Sequence, residues 1–165
     1  MIFSASSVAE QISIPKPLTL TWINEQLKSH GAKYVVETLW EKRRWDDFAN
    51  EIDSGKSAWV ALVPKIAPGT DAATTEELAI SLAYALPRNP SAVLSVLDDR
   101  MMPVSPQMVC SAPFVEDTVR DIPHYINRSR SALEKVKDDQ LTKQKAECLT
   151  ELEKTSKQIQ ARGNH

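Results

Sequence analysis

The chain reads as an all-α protein: a compact bundle or short solenoid of about seven to eight helices around a buried central helix near residues 74–86. Three observations predict this. Apolar residues recur at helical spacing along most of the chain, and no run alternates with period 2 as a strand would. Glycine occurs only four times in 165 residues, too few for a loop-rich or all-β fold. Helix ends are followed by Gly, Pro-Gly or Pro and then by a fresh apolar segment, at Gly31, Gly55, Pro68-Gly69 and Pro87 to Pro90. Stacked antiparallel helix pairs fit that punctuation, and so does a compact bundle.

Residues 1–17, with Pro15 and Pro17, are expected to be extended, and a single helical domain is expected over 18–162. Ser7-Val8-Ala9 has the small-x-small form read by signal peptidase, so a secretory-signal remnant to about residue 9 and an unstructured start both fit. A helix should begin near Thr19 to Trp22, turn Trp22, Ile23 and Leu27 inward, and end near His30 with Gly31 as its cap. Ala32 to Glu41 continues with Val35, Val36, Leu39 and Trp40. The charged corner Glu41-Lys42-Arg43-Arg44 leaves open whether 32–53 is one helix or two. Trp45, Phe48, Ala49 and Ile52 then repeat at i, i+3, i+4, i+7. Gly55 closes that segment. Ser57 opens one carrying Trp59, Val60, Leu62, Val63 and Ile66, in which Pro64 predicts a kink or early end.

Thr74 and Glu77 have the T-x-x-E relation of a capping box, with Asp71 as a second candidate cap. From Leu78 to Leu86 the chain is apolar on most sides and should be buried on most sides. Pro87 stops this helix. Asn89 as N-cap and Pro90 at the first helical position start the next, with Ala92, Val93, Val96 and Leu97 facing the core. Residues 100–108 form a loop by their two prolines. Met101, Met102 and Met108 there either fold onto the body or make an adaptable contact surface. Phe114, Val115, Val119 and Ile122 begin another apolar face, Pro123 predicts a kink, and Tyr125, Ile126, Leu133 and Val136 continue beyond it. Asp138 to Gln160 is a long polar helix. Its stripe of Leu141, Cys148, Leu152 and Ile159 packs either on its own body or on a second copy in a homodimer.

Net charge is −2, and it is uneven. Through residue 127 there are 11 Lys/Arg against 16 Asp/Glu, and beyond it nine against six. That polarity is too mild for a nucleic-acid tail, so no nucleic-acid partner is expected. No stretch reaches the roughly 18 apolar residues of a membrane span, so no membrane insertion is expected. There is no G-x-S-x-G elbow, P-loop, Rossmann glycine run, EF-hand or zinc-finger spacing, and no cofactor is expected. Cys110 and Cys148 lack the CxxC spacing of a zinc site. They are either a disulfide of an oxidising compartment, closing a loop of about 40 residues worth ~3–4 kcal/mol, or two buried thiols. The stripe of the last helix turns Cys148 toward the body, as pairing requires.

Glu116, Asp117, Asp121 and His124 are the best chemical cluster. Asp117 and Asp121 stand at i, i+4, and Asp121 and His124 at i, i+3. A divalent metal there would need a second ligand set that no E-x-x-H pair supplies. The expectation is a solvated acidic face, with a partner-binding face or a small hydrolase using Glu116, Asp117 or Asp121 as alternatives. Trp22, Trp40, Trp45 and Trp59 have helical spacing beside other apolar residues and read as core. Trp45 also sits between charge clusters at a helix corner, where an indole can anchor an interface.

The segments GKSAWVALVPKIAPGTDAATTEELAISLAYALPRNPSAVLSVL and VCSAPFVED, with one Cys in a late helix, resemble small all-helical periplasmic proteins of Gram-negative bacteria. In that group residues of the ALPRNP-SAVL type form a helix corner, and a Cys followed by a Pro leads into another helix. Some members look like immunity proteins that neutralise cell-wall-degrading effectors of type VI secretion. The resemblance covers about half the chain. It implies a non-enzymatic protein-binding module of the periplasm, the cytoplasm being the alternative, that blocks a secreted effector's cleft with a loop or helix corner. No toxin-contacting residue carries over. Loops and corners on a rigid scaffold are where binding usually sits. The contact residues expected on that ground are Trp45, Asp46 and Asp47 at one corner and Arg100, Met101, Met102 and Gln107 in one loop. A helical-repeat adaptor or scaffold is the alternative function.

Overall fold

The computed structural model describes residues 13–114 and 121–163. Among these residues the protein is all helical, with no strand. Ten α-helices follow in order: α1 Leu20–His30, α2 Ala32–Glu41, α3 Trp45–Asp53, α4 Ser57–Val60, α5 Val63–Ile66, α6 Ala72–Ala85, α7 Pro90–Val96, α8 Pro106–Val109, α9 Ile122–Glu134 and α10 Thr142–Gly163. Helices α4, α5 and α8 are single turns, and 3-10 turns occupy Ala67–Gly69, Met102–Val104 and Asp139–Leu141.

The central helix is α6. Leu78, Ala79, Leu82, Ala83, Ala85 and Leu86 are all fully buried, and only Ile80 and Tyr84 along that stretch are half-buried. It packs on α3 on one side and on α8 and the 102–104 turn on another. Helices α1 and α2 pair, α2 leads to α3, α7 touches α4 and α9, and α10 lies across α8 and α9. One continuous core therefore runs from Leu18 to Leu152. These contacts between elements distant in sequence make a bundle around α6 and not an open stack.

Local chemistry sets most of the corners. The Thr19 hydroxyl accepts from the Trp22 N–H, and Gly31 closes α1 at φ 84°, ψ 174°, a conformation essentially restricted to glycine. The break between α2 and α3 closes differently. The N–H of Arg43 donates to the Trp40 carbonyl and that of Arg44 to the Leu39 carbonyl, the paired bonds of a Schellman motif, with Arg43 in the left-handed position at φ 54°. Gly69 is required by proximity: a Cβ there would stand 2.3 Å from the backbone of Ala32 and Lys33 at the start of α2. Asn89 caps α7 by accepting from the Ala92 N–H, and its amide donates to the Gly55 carbonyl and the Ser57 hydroxyl. One side chain thus ties two corners together.

Several expectations are corrected. The capping box of α6 is Asp71 with Thr74, not Thr74 with Glu77: the Asp71 carboxylate accepts from the Thr74 N–H, and the Thr74 hydroxyl from the Asp71 N–H. The helix starts two residues earlier, so Glu76 and Glu77 lie beyond its first turn. The choice left open over residues 32–53 resolves to two helices, α2 and α3. The prolines of the 100–108 stretch begin short turns, with the Ser105 hydroxyl accepting from the Met108 N–H at the start of α8. Pro123 kinks nothing: it lies in the first turn of α9, where a missing N–H costs no helical bond. Cys110 is the C-cap of α8. The possible signal remnant, and Val115 and Val119, lie outside the described residues.

Cys110 and Cys148 form a buried disulfide with Cα atoms 5.2 Å apart. It fixes α10 to the body, and other contacts support that docking. Leu152 is buried beside the bond, the Thr155 hydroxyl donates to the Ser111 carbonyl at 3.0 Å, and Arg130 pairs with Glu153 at 2.9 Å. The Lys145 ammonium donates to the Val136 carbonyl at 2.9 Å, just past the C-terminal end of α9. The narrow stripe of α10 therefore packs on its own body.

Candidate functional site

The α2–α3 corner holds the most distinctive surface of the molecule. Its Schellman closure turns the chain sharply after Glu41, so that the end of α2 and the start of α3 enclose a cleft of about 490 Å³. Trp40, Glu41, Arg43, Trp45 and Asp46 line it. Trp40 is 52% exposed, a large value for an indole. Behind it an aromatic ladder runs into the core: Trp40 to Trp45 at 6.5 Å between ring centroids, Trp45 to Phe48 at 5.6 Å, and Phe48 to Trp59 at 6.1 Å. Tilted and edge-on pairs at these distances are favourable ring geometries. The exposed ring stands on a packed column.

The charges at the corner have distinct tasks. Arg44 is turned inward. Its guanidinium pairs with Asp47 and donates to the carbonyls of Ile14 and Pro15, pinning the approach segment to the start of α3. Asp47 is committed to that pair. Asp46, one residue earlier in the first turn, remains exposed at the cleft, where the helix dipole favours a carboxylate. Glu77 of α6 lies beside it. Burial pushes the Glu77 carboxyl up; the Trp45 indole N–H opposes the shift, while the charges of Asp46, Asp71 and Glu76 add to it. The indole N–H of Trp45 favours the Glu77 carboxylate without completing a hydrogen bond, and its nitrogen is buried without an acceptor. A raised carboxyl is not unique to this corner. Asp53 at the end of α3 is also pushed up by burial, against the pull of Ser81 and Arg88.

The expected contact residues separate into used and available groups. Trp45 is 3% exposed, so the free indole of the corner is its neighbour Trp40. In the second expected region, Arg100 is folded back on Asp98 through two bonds of 2.9 and 2.8 Å, which hold the Asp98 carboxyl down to about 2. Met101 packs against the core, and Met102 is 67% exposed. Gln107 lines a cleft of about 400 Å³ with Asp99, Glu147 and Glu151, between α8 and α10.

The acidic cluster is divided. Glu116 and Asp117 lie outside the described residues. Asp121 is the N-cap of α9, its carboxylate accepting from the His124 N–H at 2.9 Å. His124 lines a cleft of about 260 Å³ with Tyr84, Arg88, Asp121 and Arg128, two cations and one carboxylate. Among the described residues no group of three His, Cys, Asp or Glu side chains is placed to hold a metal.

Fold and covalent structure define an all-α helical bundle stapled by one buried disulfide. Comparison with family models, curated proteins and solved structures finds no match to the chain. No helix of the described residues is long and apolar enough to cross a membrane.

Proposed function

We propose that the protein is a non-enzymatic protein-binding module, acting as an immunity protein that covers the cleft of a secreted bacterial effector in the periplasm. The observation that carries this reading is Trp40: a half-exposed indole at the mouth of a cleft, held by a ladder of packed rings. A rigid aromatic side chain loses little freedom on binding, which is why tryptophans dominate interface hot spots. Met102 is a second exposed apolar side chain, of the flexible kind that adapts to a partner. The buried disulfide is compatible with an oxidising compartment. The sequence resemblance supplies the immunity assignment.

The test is capture from periplasm and culture supernatant with the wild-type chain and with Trp40→Ala. A partner held by the wild type should bind the variant at least about 30-fold more weakly, the loss of a hot-spot tryptophan. Its enzymatic activity should be inhibited by the wild type alone. Equal capture by both proteins removes the assignment of this corner. A captured protein whose activity is unaffected removes the immunity role.

A further inference from the structure

We infer that the cleft beside Trp40 receives a lysine or arginine side chain from a basic surface of the partner protein, an inference that rests on the protein-binding reading above. Three observations converge on a cation. The exposed face of Trp40 offers a ring quadrupole, the best of the aromatic surfaces for an ammonium or guanidinium. Glu41 and Asp46 place two carboxylates in the lining against the single charge of Arg43. Asp46, Asp71 and Glu76 lie close enough to Glu77 for their negative charges to add to the rise that burial gives its carboxyl, so the field at this corner is negative.

The corner's own cations leave the site open. Arg44 is committed to Asp47 and two carbonyls and does not line the cleft. Among the described residues, neither Lys42 nor Arg43 forms an ion pair. A cation entering from a partner would lie against Trp40 and beside Asp46, relieving the mutual repulsion of Asp46 and Glu77. Such pairing is short-range and screened: the Debye length is about 8 Å at physiological salt. An anionic or purely apolar side chain would gain nothing from these carboxylates.

The experiment uses the full chain labelled at its indole nitrogens and three sets of short glycine-flanked peptides, centred on Arg or Lys, on norleucine, and on Glu. The Arg and Lys peptides should shift the Trp40 and Trp45 indole resonances in a saturable, salt-sensitive manner. The double variant Asp46→Asn, Glu77→Gln should weaken that binding about tenfold, and Arg43→Gln should strengthen it. Equal shifts from the norleucine peptide would overturn the inference, as would the absence of any shift with the basic peptides. Both carboxyl substitutions preserve shape, so a folded variant is expected, and its melting curve verifies this. The two proposals separate on the captured partner. Loss of capture with Trp40→Ala but not with the double variant leaves the binding reading intact and sinks the cationic one. No loss with Trp40→Ala sinks the binding reading itself.

Discussion

Glu77 shows at the level of one residue how this corner differs from an ordinary surface. Its carboxyl is held above its usual value of 4.5, chiefly by burial. In the window between that value and its folded value, the native state binds more protons than the unfolded chain, so this group's contribution to stability falls as pH rises. Glu77→Gln is therefore expected to match the wild type below about pH 4 and to be the more stable protein at neutral pH. Urea midpoints at both pH values decide it: a wild type that gains on the variant as pH rises would show that Glu77 is well accommodated. A substitution that stabilises the fold while weakening partner binding is the mark of a site kept for function. The residues around it were unequally legible in the sequence. The charge clusters flanking Trp45 pointed to this corner, but the exposed indole is Trp40, because the turn directs position 40 outward and 45 inward. That turn left no glycine to read, since its left-handed residue is Arg43, a conformation that costs a non-glycine residue roughly 1–2 kcal/mol.

At the level of elements, helix spans followed from apolar spacing, whereas their starts depended on which of two polar residues took the cap. Asp71 outcompetes Thr74 for α6 because its carboxylate reaches both the Thr74 N–H and the Thr74 hydroxyl, a pair of bonds that one hydroxyl cannot reproduce. Pro123 misled for a related reason. A proline reads as a kink inside a helix and as a start within its first turn, and the periodicity alone does not say which. The element most open to manipulation is α10. Its inward stripe is narrow, with Cys148 and Leu152 its buried residues, so the disulfide supplies a large share of its attachment. Replacing both cysteines by alanine should lower stability by about 4 kcal/mol, the loop-closure value for a separation of 38 residues. Proteolysis should then cut first within α10. An unchanged denaturation midpoint would mean that Leu152, Thr155 and Lys145 hold the helix without the bond.

For the whole molecule, the sharing of α6 between the two ends of the chain is decisive. Helix α3 packs on one side of it and α8, bonded to α10, on another, so neither half can release its core without exposing the same helix. Unfolding should be a single transition. The four tryptophans lie between residues 22 and 59 and report on the first half, while far-ultraviolet dichroism reports helices throughout. Denaturant curves from the two signals should superimpose in the oxidised protein. A dichroism change without a fluorescence change would show that the second half melts alone. All-α architecture was legible because the helical periodicity is carried by many residues at once. Bundle rather than solenoid was not, because that choice rests on contacts between distant segments, such as α3 with α6. The disulfide carries one more consequence, for the order of events at synthesis. Cys148 leaves the ribosome after α1 to α9, so the bond can close only when nearly all of the described chain has been made. Until then Cys110 is the sole cysteine of residues 1–147, and the bond is late by order of synthesis.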